Sequence, residues 1–145
     1  APDQARAHVF GYTVFNDISA RDLYRAEGTT GIGLLGKNLP AFAPMGPCIV
    51  TADEVPDIQN AALRSRVNGE TRQGSTLANM IFSIDQLIAH WSAIGLMPGD
   101  ILSSGTPSGV AAGRKPDQSP WWLTPGDTVE VEVEGIGTLR NAIAD

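Results

Sequence analysis

GYTVFNDISARD, residues 11–22, is the stretch on which the reading of this chain turns. Residues 9–16 mix β-branched and aromatic side chains and read as a strand. The run ends abruptly in Asn16, Asp17, Arg21 and Asp22. Ser19 stands three residues before Asp22, a capping-box-like spacing, so a short helix through Leu23 and Ala26 follows and stops at Gly28. Asp17 therefore falls near the end of a sheet. A carboxylate there suits a hard divalent cation such as Mg²⁺ or Mn²⁺. Arg21 and Lys37 can supply positive charge to a substrate carboxylate or a developing enolate. The same residues also read as a helix cap and a surface ion pair, and the motif alone leaves both open.

Working outward, 28–47 is a long Gly/Pro-rich loop, and long ordered loops are often functional. CIVTA, 48–52, reads as a buried strand that makes Cys48 a structural thiol. LRSRVNGETRQ, 63–73, alternates about Asn68-Gly69, a hairpin signal. Ser83 with Gln86 caps a helix over 83–95 whose Ile84, Leu87, Ile88 and Trp91 share a face. Residues 97–109 predict a turn, a short strand and a tight loop; 124–143 predict two strands about Gly135–Gly137. PGD occurs at 98–100 and 125–127, each time before a predicted strand. Parallel βαβ units are not evident. The expectation is one domain over 1–145, mainly β with few helices (α+β), built as a mixed or antiparallel β-roll.

Composition narrows the function. With 145 residues, a formal net charge of −6 and no Lys/Arg run, nucleic acid is not an expected partner. No apolar stretch is long enough for a membrane span, and the single cysteine predicts a cytoplasmic protein without internal disulfides. Glu130, Glu132 and Glu134 look like a ligand pair but alternate with Val129, Val131 and Val133, which predicts a solvated strand face. His8 and His90 lack spaced partners, GTTGIGLLGK lacks the hydroxyl residue of a phosphate loop, and Ser108 misses the nucleophile-elbow position. Trp121-Trp122 reads as a lid, an interface patch or a core plug, with the last two together favoured.

In order, GYTVFNDISARD, LLGKNL, APMGPCIVTADEV, LRSRVNGETRQ, MIFSIDQLIAHWS, LMPGDILSSGTPSGV and LTPGDTVEVEVEGIGTLRN resemble the catalytic domain of the fumarylacetoacetate hydrolase family. The resemblance runs from about His8 to Asn141. It implies the family's β-roll and a divalent-metal-dependent enzyme acting on small oxo-acids or diketones. The implied reaction is C–C cleavage of the acylpyruvate hydrolase or oxo-acid decarboxylase type, through a metal-stabilised enolate. Isomerisation or hydration on the same scaffold, or a non-catalytic piece with half a metal site, are the alternatives. By carry-over Asp17 ligates Mg²⁺ (or Mn²⁺ or Ca²⁺), Arg21 and Lys37 line the pocket as catalytic cations, and Tyr24, Gly105 and Thr106 contact substrate. A homodimer is implied as well.

The departures from the family pattern shape these expectations. A Glu-x-Glu pair that completes the metal site in the family, and a His–Glu pair on a lid segment, stand upstream of the aspartate motif; the fifteen residues before Asn16 contain no Glu. The chain thus reads as the C-terminal part of a longer enzyme whose upstream segment supplies those ligands. Tyr24 replaces a more usual Gln, and Pro40-Ala41 replace Asp-Thr.

Overall fold

The computed structural model describes residues 1–28 and 34–144, in which six strands form two antiparallel sheets. The larger sheet grows from the hairpin. Strands β3 (Ala62–Val67) and β4 (Glu70–Thr76) reverse at Asn68 and Gly69, whose φ of 52° and 82° give a type I′ turn. Asn68 ties the turn to the next strand: its amide nitrogen donates to Asp127 at 2.7 Å and its amide oxygen accepts the Thr128 N–H at 2.9 Å. Strands β5 (Thr128–Val133) and β6 (Gly137–Ala142) complete the order β4-β3-β5-β6. Strands β1 (Gly11–Phe15) and β2 (Met45–Thr51) form the second sheet.

Period two in β5 decides the core. Val129, Val131 and Val133 are buried with Val14, Ile58 and Leu139 in one apolar cluster. Their glutamate neighbours face away, as the alternation predicted. Glu132 accepts from Arg66 at 2.9 Å, Glu130 lies 3.8 Å from Arg140, and Glu134 accepts the Ala62 N–H at 3.0 Å.

The β3–β4 ladder carries one irregularity. Pairing passes from Ser65↔Gln73 to Arg66↔Thr71, so Arg72 is an extra residue, a β-bulge. A bulge bends its strand and re-aims side chains that a regular ladder would hold.

Helix α1 (Pro2–Ala5) packs against α3 (Ile84–Trp91), clamped by Arg6, which donates to both oxygens of Asp85 at 2.7 and 3.0 Å. Ser83 and Gln86 form the predicted capping box. Helix α2 (Arg21–Gly28) ends where expected but starts one residue late. Its first bond runs from the Tyr24 N–H to the Ala20 carbonyl, and the Ser19 hydroxyl donates to the Asp17 carbonyl instead.

Three expectations change. The two PGD motifs do build matching turns, with Asp100 and Asp127 each accepting the N–H three residues back at 2.8 Å. Only the second leads into a strand: 101–104 lies outside any strand among the described residues, and Ile101 is 62% exposed. Strand propensity without a ladder partner does not make a strand. Cys48 is exposed rather than buried, because β2 runs along the surface: of its seven residues only Gly46 is buried. Of the 28–47 loop, 29–33 lies outside the described residues, Leu35–Lys37 forms a 3₁₀ turn, and β2 begins already at Met45.

Candidate functional site

The sequence-predicted residues fall into two groups on one scaffold. In the first, β1 delivers Asp17 at its end, and the Leu35–Lys37 turn brings Lys37 to it across twenty residues. The Lys37 ammonium donates to the Asp17 carboxylate. Arg21 lies in the first turn of α2, its guanidinium 5.5 Å from the centre of the Tyr24 ring. Among the described residues Arg21 makes no ion pair.

The turn carrying Lys37 is fixed by a residue the sequence reading passed over. Glu27 accepts the N–H groups of Leu34, Leu35 and Gly36 at 3.2, 2.8 and 3.1 Å. Those bonds, led by the one from Leu35, hold its carboxyl below the usual carboxylate range. The Gly36 carbonyl in turn accepts the Ala20 N–H at 2.8 Å. A side chain at Gly36 would meet Ala20 and Tyr24 backbone at 2.8 Å, so only glycine lets the turn seat on the helix. A signal was present in the sequence: a glutamate in the last turn of a helix opposes the macrodipole and calls for another partner.

The second group is carried by another loop, residues 97–109. Gly105 and Thr106 line a cavity of about 310 Å³ with Leu63, Leu77, Met80 and Leu87, among others. Asp17, Arg21, Tyr24 and Lys37 do not line it. Gln73, on the bulged strand, donates to the Thr106 hydroxyl at 2.8 Å and to the Pro107 carbonyl at 2.9 Å.

The tryptophan pair joins the two groups. The guanidiniums of Arg72 and Arg114 both lie over the Trp121 ring, 4.6 and 3.8 Å from its centre. Arg114 also donates to the carbonyls of Gly109 and Arg72 at 3.2 and 3.1 Å. Arg25 of α2 stands 5.8 Å from the Trp122 ring and donates to Gln118 at 3.0 Å. The pair thus plugs the seam between α2, the bulge and the Thr106 loop. Neither the bulge nor this stack left a mark in the sequence pattern. Ser65 did, as a hydroxyl at an inward position between Leu63 and Val67.

A divalent cation needs several hard donors. Among the described residues no group of three or more His, Cys, Asp or Glu side chains is placed to hold one. Asp17 offers one carboxylate, already engaged by an ammonium. The described residues therefore do not by themselves fit the ion.

Two antiparallel sheets lie over a valine-rich core, with Lys37 and Asp17 paired just beyond the end of β1 and Thr106 beside a largely apolar cavity. Residues 1–144 match the family model described as fumarylacetoacetate (FAA) hydrolase C-terminal, and the chain belongs to that family. It is 37% identical to a fumarylacetoacetate hydrolase from Exiguobacterium antarcticum, with a TM-score of 0.89 over 99% of this chain and 50% of that one. It is 38% identical to a 5-carboxymethyl-2-hydroxymuconate delta-isomerase from Mycobacterium smegmatis, TM-score 0.82, covering 99% and 51%. To fumarylpyruvate hydrolase from Pseudomonas aeruginosa, solved in complex with Mn²⁺ and pyruvate, it is 29% identical, TM-score 0.88, covering 99% and 58%. The chain spans 44% of the length of the first curated relatives it matches. No helix among the described residues is long and apolar enough to cross a membrane.

Proposed function

We propose that the protein cleaves a C–C bond in a small oxo-acid or diketone, as an acylpyruvate hydrolase or oxo-acid decarboxylase. The observation that carries this reading is the Lys37–Asp17 contact, with Arg21 following in the first turn of α2, in a chain of this family. Cleavage next to a carbonyl leaves an enolate, and fixed cations stabilise such an anion. Arg21 is suited to a substrate carboxylate and Lys37 to the developing oxyanion. Glu27 keeps the Lys37 turn from drifting. Thr106 is suited to hydrogen-bond a substrate oxygen. The Mn²⁺ and pyruvate in the Pseudomonas relative support a divalent metal and a 2-oxo acid.

Mg²⁺, Mn²⁺ or Ca²⁺, when bound, would act as a Lewis acid on such a substrate. Asp17 would give it one ligand, and an upstream Glu-x-Glu segment the rest. A homodimer in the cytoplasm belongs to the same proposal.

The similarity to the Mycobacterium isomerase favours a second reading, in which a double bond moves and no C–C bond breaks. One assay separates the two. The whole protein, with any upstream sequence it carries, is incubated with Mg²⁺ and a panel of acylpyruvates, oxaloacetate and dienoic hydroxy-acids. Release of pyruvate or CO₂ supports cleavage. A shifted double bond with no fragment supports isomerisation, and no turnover of any compound sinks both. Asp17→Ala is expected to abolish metal-dependent turnover; near-normal rates at saturating metal would remove Asp17 from the site. Lys37→Ala is expected to slow turnover while metal binding persists.

A further inference from the structure

Gln73 fixes which way the Thr106 hydroxyl faces. The carbonyl of Pro107 can only accept, so the amide nitrogen of Gln73 must be the atom 2.9 Å from it. The second hydrogen on that nitrogen goes to Thr106 Oγ1 at 2.8 Å. An amide nitrogen does not accept, so Thr106 accepts in this contact. The far end of the amide is fixed independently. Ser65, 6% exposed, donates its hydroxyl to Gln73 Oε1 at 2.8 Å. Ser65 and Gln73 are direct cross-strand partners at the edge of the Arg72 bulge, so backbone register sets the relay.

The proton on Thr106 Oγ1 must then point away from Gln73. Among the described residues no acceptor takes it. Thr106 borders the cavity of about 310 Å³, whose walls include Leu63, Leu77, Met80, Phe82 and Leu87. That volume is in the range of small-molecule sites. We propose that Gln73, backed by Ser65, is a positioning residue that presents the Thr106 hydroxyl as a donor to an acceptor oxygen of a ligand in this cavity. The ligand class is a small acid or ketone with an apolar remainder. This rests on the reading of Thr106 as a substrate contact, and it adds the direction of the bond and the residues that impose it.

The test is a double-mutant cycle in the whole protein with Mg²⁺, reading pyruvate affinity by calorimetry and folding by thermal unfolding. Thr106→Val removes the hydroxyl and is expected to weaken binding about tenfold, the size of one hydrogen bond to a charged group. Thr106→Ser is expected to restore most of that affinity. Gln73→Glu has acceptors only, so it draws the Thr106 proton inward; it too is expected to cost about tenfold. The double variant Gln73→Glu/Thr106→Val is expected to bind no worse than either single one. Should Gln73→Glu fail to fold, Gln73→Met, which also lacks the donors, carries the same expectation. Unchanged affinity in Thr106→Val overturns the substrate-contact reading and the inference with it. A loss in Thr106→Val with wild-type affinity in the Gln73 variants, or fully additive losses, overturns the inference alone.

Discussion

Gly109→Ala tests how tightly the Thr106 loop is keyed to the bulge. Gly109 has φ of 114°, and a Cβ placed there would lie 2.2 Å from the Arg72 carbonyl oxygen. No real contact is that short, so the loop must retreat. Retreat pulls the Gly109 carbonyl from Arg114 and strains the partner bond to Arg72. The unfavourable φ costs about 1–3 kcal/mol. Loosening hydrogen bonds from a charged, half-exposed guanidinium adds about 1–2 kcal/mol. Gly105 is the internal control: its φ is 92°, yet nothing lies within 4 Å of a Cβ there. Gly105→Ala should therefore carry the backbone strain alone. Urea denaturation is expected to place Gly109→Ala about 2 kcal/mol below Gly105→Ala with unchanged m-values. In a thermal scan that is a gap of about 4–8 °C. If the two variants fall within about 0.5 kcal/mol of each other, the loop is not seated on the bulge as described.

Three further outcomes are expected. Ile58→Ala, at a site 1% exposed in the core, should cost about 3–4 kcal/mol in urea denaturation. Glu27, with its carboxyl held low by the loop N–H groups, anchors the Lys37 turn only while ionised. That anchoring is complete above the ordinary value of 4.5 and is lost as pH falls through the lower folded value. Amide signals of Leu35 and Gly36 followed by NMR should shift in that acid window, and Glu27→Gln should abolish the shift. Asp85, lowered by the hydrogen bond from Arg6, follows the same sign: its contribution is present above 3.8 and disappears as pH drops below it. Both side chains are about a third exposed, so Asp85→Asn should lower stability by no more than about 1 kcal/mol at pH 7. The difference should vanish in strong acid.

What could be read in advance was what neighbours in sequence decide. Asn68-Gly69 demands its turn, Ser83 and Gln86 close a local box, and Val129, Val131 and Val133 alternate regardless of what covers them. The stretch at 101–104 was misread because strand propensity is local and strand pairing is not. Ser19 missed its cap by a single residue, since Ala20 is held by the Gly36 carbonyl from a distant turn. Side-chain type alone puts Cys48 inside, whereas its exposure depends on what covers the faces of β2. At the candidate site the identities of Asp17, Arg21 and Lys37 came from a motif and a resemblance. Their supports did not: Glu27, Gln73 and the Arg72–Trp121–Arg114 stack arise from contacts between segments tens of residues apart.

The hairpin turn also bears on how this protein ages. An asparagine followed by glycine deamidates when the glycine nitrogen attacks the side-chain carbonyl carbon, and this requires the carboxamide to swing free. Here Asp127 and the Thr128 N–H hold both ends of that carboxamide. The folded chain therefore protects the bond, and each unfolding event exposes it. Once lost, the amide leaves a carboxylate facing Asp127 where a 2.7 Å hydrogen bond had been, so the damage weakens the hairpin that had prevented it.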